Sequence, residues 1–263
     1  MTPELRIAAI QSDLHWESPG ANMAMFEEKI WQIDGQVDLI VLPEMFTTGF
    51  SMNVNTLAEA VGTTTFRWMK QISQQTDGSV MGSYMVKEKG RFYNRLYCVH
   101  PNGSANHYDK RHLFGMGGES KDFSSGDQRL TFSVKGWRIR PMICYDLRFP
   151  VWARSRRTTD DLFEYDALVY VANWPKPRIN AWDTLLAARA IENIAYSIGV
   201  NRIGLDQNGL EYVGHSSAYD FMGKRMIITD KEEVIQVSLL KDDLLKFREQ
   251  FPFQKDSDQF TIE

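Results

Sequence analysis

The chain has 263 residues, 43% of them hydrophobic and 24% charged, with a formal net charge of −4. That composition suits a folded chain with a sizeable core, within reach of one α/β domain. It carries no basic stripe, which excludes nucleic acid and an anionic membrane as expected partners, and no window approaches the ~20 apolar residues of a membrane helix.

In chain order, "MTPELRIAAIQSDLHW" lacks the basic head and long apolar stretch of an export signal. A cytoplasmic, reducing compartment is therefore expected, with Cys98 and Cys144 as free thiols. "LRIAAIQ" (5–11) reads as a strand and "ANMAMFEEKIWQI" (21–33) as an amphipathic helix with Met25, Ile30 and Ile33 on or near one face. "VDLIVLP" is a short apolar run of the kind buried on both faces of a sheet, and "FRWMKQISQQT" (66–76) is a second helix. Residues 79–110 read as strands joined by hairpins, punctuated by Gly90 and the "PNG" turn at 101–103. Residues 129–144 form another hairpin turning near Gly136, "YDALVYVAN" (165–173) a buried strand, and 180–197 a strong helix. Further strands run to about residue 240, a late helix covers 241–251, and a polar tail begins at about 252. No repeat or linker divides the sequence, so residues 1–263 read as one domain with a mixed-sheet α/β layer fold.

Ligands of open α/β sheets bind beyond the carboxyl ends of the strands. Glu44 follows "VDLIVLP", Lys110 follows "SANHYD", Cys144 follows "RIRPMI", and Asn173 and Trp174 follow "DALVYVA". A carboxylate can act as base for a thiol nucleophile. A buried carboxylate beside a thiol raises the thiol pKa; a lysine counters this and stabilises an oxyanion. These parts suit acyl transfer through a thioester. Each residue also has a plainer reading. Cys144 is a small buried hydrophobe, as Cys98 is within its strand; Glu44 is a loop-start carboxylate; Lys110 in "DKRH" is a solvated charge. The residues alone do not show that the three strand ends converge.

"LPEMFTTGF" with Glu44, "YDKRHLF" with Lys110 and "ICYDLRFP" with Cys144 resemble, in order and spacing, the three catalytic motifs of the nitrilase superfamily of carbon–nitrogen hydrolases. "GES" with Glu119, "NWP" (173–175), "RAIEN" (189–193), "VNRIG" (200–204) and "GHS" (214–216) agree, so the resemblance spans about residues 5–240. It implies a four-layer α-β-β-α sandwich, paired into homodimers across a helical face. It also implies Cys144 as nucleophile, Glu44 as general base and Lys110 as the stabiliser of the tetrahedral intermediate, helped by the backbone N–H of Tyr145. Glu119 would be a second, supporting glutamate, delivered by the tight loop "GMGGE". Arg148 is expected to brace the turn by pairing with an acid. The five histidines show no metal-ligand spacing, and no metal or cofactor is expected.

Within the superfamily, "CYDLRFP" and "RAIEN" look most like the omega-amidase branch, and no synthetase domain is expected to follow. That branch implies 2-oxoglutaramate or 2-oxosuccinamate as substrate, compounds that arise when glutamine or asparagine donates its amino group, as methionine salvage requires. An N-carbamoyl amino acid hydrolase and an inactive nitrilase-fold binding module are the alternatives. Phe46 and Trp174 are expected to wall a small apolar slot beside Asn173. Arg178 in "NWPKPRIN" is the candidate to read the far carboxylate, because a guanidinium matches a carboxylate bidentately.

Overall fold

The computed structural model describes residues 4–157 and 163–262. The first half runs β1 (Glu4–Gln11), α1 (Pro19–Ile30), β2 (Leu39–Val41), α2 (Val54–Leu57), β3 (Glu59–Ala60), α3 (Thr64–Thr76), β4 (Ser79–Glu88), β5 (Arg91–Val99), β6 (Ala105–Asp109) and α4 (Glu119–Asp122). The second half runs β7 (Phe132–Val134), β8 (Trp137–Ile143), α5 (Pro150–Ala153), β9 (Ala167–Val171), α6 (Ile179–Asn193) and β10 (Tyr196–Val200). It closes with β11 (Ile203–Leu205), β12 (Glu211–Val213), β13 (Ser216–Tyr219), β14 (Arg225–Thr229), β15 (Glu233–Leu240) and α7 (Lys241–Gln250).

The strands form two large sheets. One has the order β15-β1-β2-β4-β5-β6, with β3 on β4; the other has the order β14-β13-β10-β9-β8-β7. Alternation along the strands makes the layers. In β1, Leu5, Ile7 and Ala9 join the core between the sheets, whereas Ala8 and Ile10 join the cluster under α1 and α3. In β10, a Cβ on Gly199 would meet Leu186 and Trp182 of α6 at 2.5 Å, so that face of the second sheet lies directly against its helix. The expected helix–sheet–sheet–helix sandwich is the observed one.

Boundaries differ in instructive ways. α1 starts at Pro19, whose missing N–H suits a first helical turn, and buries Asn22, Phe26 and Ile30. Met25 is only half-buried and Ile33 lies past the helix end. Asn22 belongs inside because its side chain donates to the carbonyls of His15 and Thr47, both at 2.7 Å. α6 stops at Asn193 because Ile194 takes a left-handed φ of 46°, turning the chain into β10. The tail is tied down: Gln254 is buried and donates to the Ser155 carbonyl at 2.6 Å.

β1, β2 and β4 run parallel, as do β8, β9 and β10. Their carboxyl ends open towards one region. Register fixes it: Ile143 stands opposite Val171, which leaves Cys144 and the segment Ala172–Asn173 emerging side by side.

Candidate active site

Cys144 sits where β8 breaks. Its φ is 43°, left-handed backbone that a residue with a Cβ adopts at a cost of about 1 kcal/mol. A 3-10 turn over Cys144–Arg148 follows. Asp146 holds that turn. Its buried carboxylate accepts the Ile143 N–H at 3.0 Å, the Tyr108 hydroxyl at 2.8 Å, the His112 N–H at 3.0 Å and His112 Nδ1 at 2.7 Å. The acid after the cysteine is thus satisfied without Arg148. The Arg148 guanidinium instead stacks over the Trp174 ring, 4.9 Å from its centroid, and no acid pairs with it among the described residues. That corrects the expected bracing pair.

Glu44, Lys110 and Glu119 converge behind Cys144, all wholly buried. Lys110 Nζ donates to Glu44 Oε1 at 2.8 Å and to Glu119 Oε2 at 2.8 Å. Lys110 follows β6, its N–H donating to the Asn94 carbonyl of β5. Glu119 opens α4 after Gly118, whose φ of 84° makes the sharp bend that a glycine tolerates. The Phe114 N–H donates back to Glu119 at 2.6 Å, closing the loop that "GMGGE" forms. Asn173 ties the two sheets together at this point. Its N–H donates to Glu44 Oε2 at 2.9 Å and its Nδ2 to the Glu44 carbonyl at 2.7 Å, while Cys144 Sγ lies 3.8 Å from the Asn173 carbonyl oxygen.

Burial lowers the Lys110 pKa, but Glu119 and Glu44 outweigh it and hold the ammonium above its ordinary range. Burial, with Glu44 adding to it against the pull of Lys110, raises Glu119. Burial and the neighbouring Glu44 push the Cys144 thiol well up, with Lys110 opposing. Such surroundings keep the Cys144 thiol neutral beside a buried carboxylate. Cys98 is also free and buried, but it sits in the core between the sheets with no charged partner, and desolvation raises it.

A cavity of ≈ 460 Å³ opens above Cys144, within the range for small ligands. Tyr145, Asn173, Trp174 and Arg178 line it, together with Arg148. Arg178 lies over the Phe114 ring, 5.2 Å from its centroid, and like Arg148 has no acid partner among the described residues. The two cavity carboxylates are already engaged. Glu17 accepts the Ser51 hydroxyl at 2.5 Å, and Asp206 accepts the Tyr212 hydroxyl at 3.0 Å. Phe46 is a correction. It is wholly buried on the far side of the first sheet, packed on Phe26, Trp68 and Tyr84, and does not line the cavity. The turn at Met45, with φ 44°, sends Glu44 and Phe46 to different sides. The apolar walls come instead from Phe50, Met52 and Phe114, with Trp174.

Asn94 was not foreseen. It lies in β5 on the same face as Leu96 and Cys98, and its Nδ2 donates to both Glu44 and Glu119. The only signal in the sequence was an amide inside an otherwise inward-facing apolar row. Among the described residues no group of three or more His, Cys, Asp or Glu side chains is arranged to hold a metal ion, and no helix is long and apolar enough to cross a membrane.

The carbon-nitrogen hydrolase family model matches residues 6–247. The omega-amidase YafV of Yersinia enterocolitica is 42% identical over 262 residues, 98% of each chain. The 2-oxoglutaramate amidase of Bacillus subtilis is 30% identical over 250 residues, 94% of this chain and 95% of that one. A CN-hydrolase superfamily protein of Xanthomonas campestris, crystallised with an arsenic adduct in its active site, superposes with a TM-score of 0.96 at 37% identity, over 99% of this chain and 100% of that one.

Proposed function

This chain belongs to the carbon–nitrogen hydrolase family, and we propose that it hydrolyses the distal amide of short 2-oxo dicarboxylic acid monoamides, 2-oxoglutaramate and 2-oxosuccinamate, through a thioester on Cys144. The observation that carries the chemistry is a thiol at the cavity floor with a buried carboxylate and a buried ammonium directly behind it. Glu44 takes the Cys144 proton as sulfur attacks the amide carbon. The resulting oxyanion is stabilised by Lys110 and the Tyr145 N–H. Glu44 then passes its proton to the departing nitrogen, and ammonia leaves. Water, deprotonated by Glu44, attacks the thioester; the acid leaves as Glu44 returns that proton to sulfur, restoring the free thiol. Glu119 keeps Lys110 in place.

The substrate class rests on the two omega-amidase-type relatives and on Arg148 and Arg178, two cations above the nucleophile that have no acid partner among the described residues. A short chain with a carboxylate at its far end answers that charge, and Trp174 and Phe114 flank the carbons between. The same reading has a single domain working as a cytoplasmic homodimer, on amides left when glutamine or asparagine gives up its amino group, as in methionine salvage. Val151 of α5 and Ile191 of α6, both exposed, support pairing across the helical face.

The test compares kcat/KM for 2-oxoglutaramate with that for butyramide, following ammonia. A charge-assisted carboxylate contact of about 1.5–3 kcal/mol gives a preference of roughly 10- to 150-fold for the acid. Arg178→Ala reduces that ratio. Equal values for the two amides refute the specificity, and an unchanged ratio in Arg178→Ala removes Arg178 from it. Carbon dioxide released with the ammonia from an N-carbamoyl amino acid, at a higher kcat/KM, replaces this substrate class with the carbamoylase one.

A further inference from the structure

Asn94 is wholly buried in β5 and does not line the cavity. Its Nδ2 donates to Glu44 Oε1 at 2.8 Å and to Glu119 Oε1 at 3.1 Å. Lys110 Nζ donates to the same two oxygens, at 2.8 and 3.1 Å. Glu44 and Glu119 are therefore spanned twice, once by a charged donor and once by a neutral one. The orientation of the amide follows from this. Rotated by half a turn, its carbonyl would face two carboxylate oxygens, an arrangement with no hydrogen to share. In the observed orientation Oδ1 is buried with no partner among the described residues. A stranded buried acceptor costs about 1–3 kcal/mol. The site carries that cost at a residue that does not line the cavity.

We infer that Asn94 is a positioning residue for the proposed reaction, using both amide protons to hold Glu44 and Glu119 apart as acceptors, so that Glu44 keeps its second oxygen for the Cys144 proton. The inference rests on the reading that Glu44, Lys110 and Cys144 carry the chemistry. The geometry divides the work on Glu44. Oε1 accepts two short bonds, from Asn94 and Lys110 at 2.8 Å each, whereas Oε2 accepts the Asn173 N–H at 2.9 Å and a long 3.4 Å contact from the Asn173 Nδ2, so Oε2 is the less firmly held oxygen. A neutral donor suits the position. A second cation would leave Lys110 competing for the same oxygens, and a carboxylate would place three acids around one ammonium. The ionisable groups facing Glu44 are Lys110, Glu119 and Cys144, with Tyr212 on the cavity wall beyond the thiol.

Removing a donor from a carboxylate favours its protonated form. Asn94→Ala and the isosteric Asn94→Asp both remove that donor from the buried cluster, so the cluster's ability to accept the thiol proton sets in only at higher pH. The measurement is the rate of Cys144 alkylation by iodoacetamide against pH, located by peptide mass, together with kcat and KM on an amide that the wild type turns over. The acid limb of both profiles moves up by at least about half a pH unit, further in Asn94→Asp. kcat falls at least about tenfold while KM stays within about threefold, since Asn94 does not reach the cavity. Unmoved acid limbs in folded variants overturn the inference, as does loss of the native fold in both, which would make Asn94 a folding residue. An unmodified Cys144 in the wild type is a different failure, that of the nucleophile reading itself, and the alkylation arm separates the two because it needs no substrate.

Discussion

Lys110→Ala tests the site's electrostatics most sharply. Lys110, Glu44 and Glu119 have no side-chain exposure, and the ammonium lies 2.8 Å from each carboxylate. Together they carry a formal charge of −1; without the lysine the charge is −2 in the same buried volume. Removing one partner of a buried pair costs about 3–5 kcal/mol. For a chain of this size each kcal/mol is worth roughly 2–4 °C, so the melting temperature falls by about 6–20 °C. The loss depends on pH. Burial already raises Glu119 above its ordinary value, and removing Lys110 raises it further. The folded state then holds a proton that the unfolded chain releases, so stability is kept at low pH and lost as pH rises through the folded pKa. The deficit of Lys110→Ala against wild type is larger at pH 8 than at pH 5. In the double variant Lys110→Ala/Glu119→Gln the charge returns to −1, and the melting temperature recovers while turnover stays at least roughly 10²-fold down. Calorimetry at the two pH values, with ammonia release, reads all of this. An equal deficit at both pH values, or a double variant less stable than the single, refutes the reasoning.

Other consequences follow from single contacts. Cys144→Gly melts higher than Cys144→Ala by up to about 1 kcal/mol, measured in urea, because glycine adopts the left-handed φ of 43° without the Cβ cost; equal midpoints would contradict the strain. Asp166 is buried, and Arg138 and Lys241 overcome its desolvation and hold it at about 2, against 3.8 ordinarily. It contributes about 2 kcal/mol above pH 3.8 that is lost as pH falls towards 2, so acid unfolding of Asp166→Asn is less steep in that window; an identical acid limb in wild type and variant argues against it. Asp146→Asn, which puts an NH2 among four donors, lowers the melting temperature by several degrees, about 1.5–3 kcal/mol per charged hydrogen bond lost; an unchanged value would mean that Asp146 does not hold the turn.

Much of this was legible in the sequence because strand ends carry chemistry. Apolar runs located β2, β8 and β9, the PNG turn located β6, and the polar residue after each of the four lies at one site. Runs alternating with helices pointed to a mixed-sheet α/β layer fold, and the family resemblance supplied the four-layer sandwich. Other features depend on contacts between distant segments. Phe46 looked like a wall because it follows Glu44 closely, but one left-handed residue, Met45, sends it to the outer cluster. Arg148 looked like a brace because an acid stands two positions away, but Asp146 takes its donors from Tyr108 and His112, more than thirty residues upstream. Asn94's place in the inward row of β5 said nothing of its role, since its partners come from the β2 loop and α4. Phe50 and Phe114 line the cavity from loops, where spacing says nothing about direction.

The central claim is the thioester. Wild-type protein mixed with 2-oxoglutaramate, quenched in acid and digested, should show on the peptide carrying Cys144 a mass gain equal to the substrate less ammonia, and Cys144→Ala should neither gain that mass nor release ammonia. An adduct on Cys98, or ammonia released by Cys144→Ala at the wild-type rate, would contradict it.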